Sequence, residues 1–400
     1  MSFTNPFYYG NIYVRGFTFC RAYTEIDMKK RILAVIAAAM FTLPALGACG
    51  CSSLDSLSFS SAAFGADVKP GYSEKCVYSV TYEDSADYFK KDDSVTDDYL
   101  KFVIGSVPDG APENATPAGT YTALLEVSSF NAQNFETDIV PYEGALVYKL
   151  TTELSLPVRY VTADGEFSRT DYIRSESFFY SNAFAPLRSY TSSSYTCVSI
   201  GEINGAKTAR LIILDSYSSI TYNEKSYKVV TDYAYYGFDE DNETDRPAVD
   251  NDNRTDNFSE KTFEYESKTV IDNADLLFAL RGVNVEESKS VNIPVVAANY
   301  GEYQTLSVTN KANNSKDVTV KVNGEEKSER INVKNLSYSI NSQNKSGTSQ
   351  KVVVQTSGSS VPNKALLIEY AEPLIAQGSP VKLGALVYRL TEVTFSDSAA

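Results

Sequence analysis

The sequence predicts an all-β fold, mainly antiparallel, that forms a barrel or a strongly curved meandering sheet with one or two short helices. Runs rich in β-branched and aromatic residues recur from residue 75 to the end of the chain. Turn-forming residues separate these runs at short intervals, and helical periodicity is scarce. Many strands joined by close turns favour antiparallel sheets that curve or close on themselves.

The strand-like runs continue through residues 71–400, which we expect to form a single large β domain. Two dipeptides, Asp164-Gly165 and Asn323-Gly324, predict tight hairpin turns, because these residues tolerate positive φ angles. The predicted strands are residues 77–82, 121–127, 145–154, 158–162, 166–178, 189–200, 207–214, 226–235, 261–271, 291–296, 304–308, 318–322, 325–333, 351–355, 365–370 and 385–395.

The best helix candidate covers residues 273–282. Asn273 suits the N-cap and Gly282 suits the position after the helix end. Arg281 lies in the last turn, where it either interacts favourably with the helix dipole or binds an anion. A second, weaker helix candidate covers residues 96–104.

One eight-residue segment is nearly repeated. Residues 144–151 read GALVYKLT and residues 384–391 read GALVYRLT, and similar strands precede them at 123–125 and 365–367. We interpret these as two hairpins in equivalent positions, adjacent in a closed or nearly closed barrel. Chance convergence of strand-like residues is the alternative.

Composition excludes several functions. The formal net charge is −15, and the part after residue 48 carries 31 basic and 49 acidic residues, a net −18. Such a surface repels phosphate backbones, so we expect no nucleic-acid partner. The chain has no His, which removes Ser-His-Asp and Cys-His catalysis and the usual zinc sites. We therefore expect neither an enzyme nor a cofactor.

Residues 28–48 have the layout of a secretory signal peptide. Lys29, Lys30 and Arg31 precede a short apolar core, Pro44 interrupts it, and small residues follow up to Cys49. Residues 1–27 precede an ideal start at Met28, so we expect them to be an untranslated or disordered extension, with translation beginning at Met28. Residues 49–70, rich in Ser, Ala and Gly, predict a flexible tether.

The residues Leu46-Gly47-Ala48-Cys49 resemble the lipobox of bacterial lipoproteins. In that family the cysteine receives a diacylglyceryl group and becomes the new N-terminus. The resemblance implies a domain anchored by acyl chains such as palmitate on the extracytoplasmic face of the cell membrane. The alternatives are a plain secretory signal cleaved after Ala48 and a short signal anchor.

Other cysteines and acidic residues give weaker site candidates. Cys76 and Cys197 either form a disulfide, which an exported setting permits, or remain separate buried thiols. Asp250, Asp252 and Asp256 have an alternate spacing that could bind calcium. A solvated loop explains the same residues better, since the glycine and terminal glutamate of a calcium loop are missing.

Residues 272–282, reading DNADLLFALRG, resemble a segment of an uncharacterised family of exported β proteins, domain of unknown function 3108. The run at 177–187 and the closing hairpin at 364–395 are similar to that family as well. The resemblance covers roughly residues 140–395 and implies a meandering barrel-like sheet with no known activity. The long acidic loop and the strands before residue 140 depart from it.

The leading functional hypothesis is a non-enzymatic binding or carrier module, attached to the membrane through its N-terminal lipid and holding a small hydrophobic ligand. The second is a structural or adhesive surface protein that binds an envelope protein or polysaccharide. The third is a carboxylate-based hydrolase of envelope polymers, which needs two suitably spaced carboxylates in a cleft.

Overall fold

A computed structural model describes the fold of the β domain. The described residues are 68–83, 88–89, 100–104, 119–131, 135, 139, 145–162, 165–180, 185–203, 206–237, 249–250, 254–264, 270–298, 303–341, 347–375 and 382–396. The signal peptide, Cys49 and nearly all of the tether lie outside them, so those predictions are not addressed by the structure.

The described residues form sixteen strands, one 3-10 turn and one α-helix. The 3-10 turn (Asn273–Asp275) leads directly into α1 (Leu276–Gly282). The strands are β1 (Ser73–Glu83), β2 (Leu100–Ile104), β3 (Gly119–Ser129), β4 (Leu146–Thr162), β5 (Gly165–Tyr180), β6 (Pro186–Ile203), β7 (Ala206–Tyr222), β8 (Ser226–Gly237), β9 (Ser259–Glu264), β10 (Ile271–Asp272), β11 (Ser290–Val296), β12 (Tyr303–Val322), β13 (Glu325–Asn341), β14 (Gln350–Ser357), β15 (Leu367–Ile375) and β16 (Lys382–Ser396).

All sixteen strands belong to one sheet, in the order β10-β11-β12-β13-β14-β15-β16-β1-β3-β4-β5-β6-β7-β8-β9, with β2 paired to β4. The neighbours pair in antiparallel fashion except β10 with β11, and a short parallel contact joins β12 to β16. The prediction of a mainly antiparallel, barrel-like all-β fold is therefore confirmed. Sequence neighbours pair almost throughout, but β1 lies between β16 and β3.

The curved sheet wraps around the 3-10 turn and α1. The turn contacts β5 and β6, whereas α1 contacts β14 and β15 in the opposite half of the sheet. Leu276, Phe278 and Leu280 are buried, and the Phe278 ring lies 5.9 Å from that of Phe179 in β5. The helix therefore fills part of the interior and connects the two halves of the core.

The predicted Asn323-Gly324 turn is confirmed, since Val322 pairs with Glu325. The hairpin predicted at Asp164-Gly165 is present too, but Gly165 is already the first residue of β5, paired with Thr162, rather than part of the turn. Asn323 and Gly324 have φ angles of 48° and 85°, which is the positive pair that a type I′ turn requires.

Four predictions of secondary structure were wrong. Residues 100–104 form strand β2 rather than the end of a helix, and β4 and β12 are each one long strand where the sequence indicated two. The first helical turn is capped by Asp272, whose side chain accepts a hydrogen bond from Ala274 N, rather than by Asn273.

The two similar hairpins are β3-β4 and β15-β16, and they are not adjacent. Strand β1 separates them, pairing with β16 on one side and β3 on the other. The expectation of neighbouring hairpins was therefore wrong, although both do flank the same strand.

Candidate functional site

An interior cavity of about 110 Å³ lies between α1 and the concave face of the sheet. Its walls are of two kinds. Hydroxyl-bearing side chains come mainly from β4 to β7. Apolar side chains come from α1 and from strands β3, β4 and β15. Among the former are Thr152, Ser175, Ser189, Thr191 and Ser218, and among the latter are Leu125, Leu150, Leu276, Leu277, Phe278 and Leu367.

The hydroxyl wall arises because small polar residues occupy alternate positions on strands β5, β6 and β7. Alternate residues of a strand point to the same face of the sheet. Ser175 and Thr191 are cross-strand partners whose hydroxyl oxygens lie 3.0 Å apart, and those of Ser193 and Ser216 lie 2.7 Å apart. The wall therefore satisfies many of its own hydrogen bonds while still offering oxygen atoms to the cavity.

Two buried aspartates stand at the start of the helical segment. The Asp272 carboxylate accepts hydrogen bonds from Ser189 Oγ at 2.6 Å, Tyr222 OH at 2.7 Å and Ala274 N at 2.8 Å. Asp275 accepts one from Ser177 Oγ, while its Oδ2 atom is buried without a hydrogen-bond partner. Both side chains are almost fully buried, and Asp272 lines the cavity.

Burial raises the pKa of both carboxyl groups. For Asp272, the hydrogen bonds from Ser189, Ala274 and Tyr222 offset part of that rise. For Asp275 the pKa is raised well above its usual value, first by burial and then by the neighbouring Asp272 carboxylate. The described partners of the pair are hydroxyl and backbone groups, with no cationic side chain among them.

At the other end of α1, Arg281 forms a buried ion pair with Glu74 of β1. Arg281 Nη1 lies 2.6 Å from Glu74 Oε1, and Nη2 lies 3.2 Å from Oε2. The guanidinium also donates to the backbone oxygens of Ala365 and Lys364, and it lies over the Phe278 ring. Burial lowers the pKa of Arg281, but the Glu74 carboxylate more than offsets this and raises it.

Arg281 lies in the last turn of α1, as predicted, but its side chain does not face solvent. The Arg281 side chain is only 5% exposed, and its donors are engaged by Glu74 and two carbonyl groups. An external anion would have to displace Glu74.

A second buried network borders the cavity through Tyr338, Gln350 and Tyr370. Tyr370 OH lies 2.6 Å from Gln350 Oε1 and 2.7 Å from Glu372 Oε2, and Tyr388 OH donates to Glu372 Oε1 at 2.6 Å. Burial and then the Glu372 carboxylate raise the pKa of Tyr370 well above its usual value. The Tyr370 hydroxyl group therefore stays protonated at neutral pH and acts as a hydrogen-bond donor.

The remaining site predictions have mixed outcomes. Cys76 is a free, buried thiol, and its Sγ lies 3.5 Å from Glu74 Oε1. The Cys197 side chain lies outside the described ones, so the predicted alternatives for Cys197 are not tested. Strands β3, β4 and β5 separate the strands that carry the two cysteines. Asp252 lies outside the described residues, so the calcium candidate with Asp250 and Asp256 is not tested as a set.

The described residues show few further signs of a metal site, a membrane-spanning helix or an exposed apolar surface. Within them, no group of three or more His, Cys, Asp or Glu side chains is placed to hold a metal ion. Likewise, no helix there is long and apolar enough to cross a membrane. Tyr172, 48% exposed, is the one large hydrophobic side chain that the described surface presents to solvent.

Comparisons with known proteins do not identify this chain. No protein-family model matches it, and neither does any curated protein. A solved beta-barrel-like protein of domain of unknown function DUF1849 from Brucella abortus is similar over 82% of this chain and 100% of its own. The TM-score is 0.40 and the sequence identity is 6%. The resemblance to domain of unknown function 3108 remains a prediction.

Proposed function

We propose that this protein is a non-enzymatic carrier or binding module that holds a small, partly apolar ligand inside its sheet. The observation that carries this proposal is the cavity between α1 and the hydroxyl wall. At about 110 Å³, the cavity is smaller than an apolar cavity of roughly 150 Å³ that binds benzene. It therefore suits a short segment of a longer molecule.

The two kinds of wall match the usual construction of a ligand pocket, which combines apolar surface with a few fixed polar groups. The apolar side chains of α1 supply the first, and Ser189, Thr191 and Ser218 supply the second. The ligand we envisage is therefore not a pure hydrocarbon. It has an apolar part and at least one polar group that can bond to hydroxyl oxygens.

The carrier is proposed to work on the extracytoplasmic face of the membrane, attached through acyl chains on Cys49. This part of the proposal rests on the lipobox-like residues 46–49 and the signal-like segment before them. Metabolic labelling with an alkyne analogue of palmitate tests it. We expect label in the natural chain and in Cys51→Ser, but none in Cys49→Ser. Equal labelling of the two variants would refute attachment at Cys49.

Two adjacent serines on β7 give a matched test of the cavity. Ser218 lines it, whereas Ser219 belongs to the other face of the same strand. In Ser218→Leu the larger side chain fills part of the cavity, and in Ser219→Leu the same change leaves it open. We expect n-hexanol to bind the natural chain and Ser219→Leu, but not Ser218→Leu.

The measurement is isothermal titration calorimetry on the full chain in phosphatidylcholine nanodiscs. Partition of n-hexanol into lipid is the same for all three proteins, so their difference reports the cavity. Circular dichroism verifies that both variants are folded. The carrier function is contradicted if n-hexanol binds the two variants equally, or if neither n-hexanol nor its amine analogue n-hexylamine binds the natural chain.

A further inference from the structure

The charges around the cavity do not balance. Glu74 and Arg281 neutralise each other through two hydrogen bonds. Asp272, which also lines the cavity, has no such partner among the described residues, and Asp275 follows three residues later. A buried carboxylate without a cation is costly, because hydroxyl and amide donors replace only part of its hydration.

An unused acceptor accompanies this imbalance. Asp275 is completely buried, and its Oδ2 atom has no hydrogen-bond partner. Asp275 does not itself line the cavity, so it adds to the buried negative charge beside Asp272 rather than contacting a ligand. The raised pKa values of both aspartates express the same cost, since each carboxyl group is held in a site that disfavours its charge.

The surroundings of Asp272 have the acceptors that an ammonium group needs. A primary ammonium carries three N–H donors and no acceptor. Ser189, which is bonded to Asp272, lines the cavity, and so do Thr191 and Ser218 on the same wall. Carboxylate and hydroxyl oxygens together can accept from all three donors. A carboxylate ligand has no such site, because the Arg281 donors are already engaged.

We infer that the cavity binds a small amphiphilic organic cation, a primary ammonium held by Asp272 and the hydroxyl groups beside it, with its apolar tail along α1. Leu276, Leu277 and Phe278 provide the surface for the tail. This inference rests on the proposed carrier function and specifies its ligand class. A charge-assisted hydrogen bond contributes about 1.5–3 kcal/mol, which corresponds to at least about tenfold in affinity.

The test compares three probes that share a six-carbon tail: n-hexylamine, n-hexanol and n-hexanoate. Each is titrated at pH 7.5 by calorimetry into the full chain in phosphatidylcholine nanodiscs. We expect n-hexylamine to bind at least about tenfold more tightly than n-hexanol, and n-hexanoate to bind most weakly. Asp272→Asn should remove the preference for the amine.

Glu369→Gln is the matched control, because it changes the net charge by the same amount at a residue paired with Lys316 and absent from the cavity lining. Glu369→Gln should still bind n-hexylamine more tightly than n-hexanol. That result excludes the overall negative charge of the protein as the cause of the preference. Asp275→Asn, which removes buried negative charge beside Asp272 without changing the cavity lining, replaces Asp272→Asn if the latter does not fold.

The outcomes separate the two proposals. If n-hexanol binds the natural chain as tightly as n-hexylamine does, the cation inference is refuted and the carrier function stands. An amine preference that survives in both asparagine variants also refutes the inference. If none of the three probes binds, the inference and the carrier function both fail.

Discussion

The buried ion pair between Arg281 and Glu74 gives the sharpest prediction of stability. Their side chains are 5% and 4% exposed and share two hydrogen bonds. Replacing Arg281 by Met keeps most of the apolar volume but leaves Glu74 buried without its cation. Removal of one partner from a buried pair costs about 3–5 kcal/mol. The substitution also frees two backbone carbonyls, so we expect a loss of at least about 3 kcal/mol in the free energy of unfolding.

Urea denaturation followed by circular dichroism measures this loss. The double variant Arg281→Met, Glu74→Met should recover most of it, because it removes both charges from the core. The exposed pair Lys327–Glu325 is the control, and Lys327→Met should cost only about 0–1 kcal/mol. The reasoning is refuted if Arg281→Met costs no more than Lys327→Met, or if the double variant is as unstable as Arg281→Met.

Three further predictions concern the turn, the thiol and one lysine. Gly324→Ala should lower the free energy of unfolding by about 1–2 kcal/mol through its positive φ angle alone, since no atom lies within 4 Å of the added methyl group. Chemical denaturation measures this loss, and an unchanged midpoint would contradict the prediction. Cys76 should resist iodoacetamide in the native protein and react after unfolding without reductant, because it is a buried free thiol whose pKa burial raises; a mass corresponding to a Cys76–Cys197 disulfide would contradict it. Burial lowers the pKa of Lys334 from 10.5 to about 8. Between these values the unfolded chain holds the proton and the folded chain does not, so the free energy of unfolding should rise with pH over this window, and the rise should be smaller in Lys334→Met; parallel pH profiles of the two proteins would contradict it.

The strand content could be predicted because most strands bury one face and show the expected alternation. Cys76, Tyr78 and Val80 are buried at alternate positions of β1, for example. The central part of β12 lacks this alternation, since residues 311–315 lack a buried face, and it therefore resembled a loop. Its pairing with β13, which continues through a shift in register at Asn310, depends on tertiary structure.

The sequence predicted two strands in place of β4 for a different reason. Strand β4 pairs with β3 up to Ser155 and with β2 from Val158 onward. Pro157 lies between these two stretches, where its missing N–H matters least. A change of partner strand along one continuous strand leaves no local signal, so the proline was interpreted as a break.

The cavity could not be predicted because its residues are distributed along almost the whole domain. Glu74 and Arg281 are 207 residues apart, and no motif relates them. One signal was available for the hydroxyl wall. Ser175 and Ser177, and then Ser189, Thr191 and Ser193, place small hydroxyls at alternate positions on one face of successive strands. A solvent-facing strand would show the same pattern, so the choice between surface and interior needed the fold.

The position of β1 between β3 and β16 bears on how the chain matures. One edge of β1 pairs with residues 385–396, which are synthesised some three hundred residues after β1 itself. Until then β1 presents unpaired backbone groups, and an exposed strand edge is a template for aggregation. The pairing of β1 with β16 also brings together segments some three hundred residues apart, which makes folding slow. The chain is therefore most prone to aggregate while this edge of β1 is unpaired, and a holding chaperone would protect it most during that period.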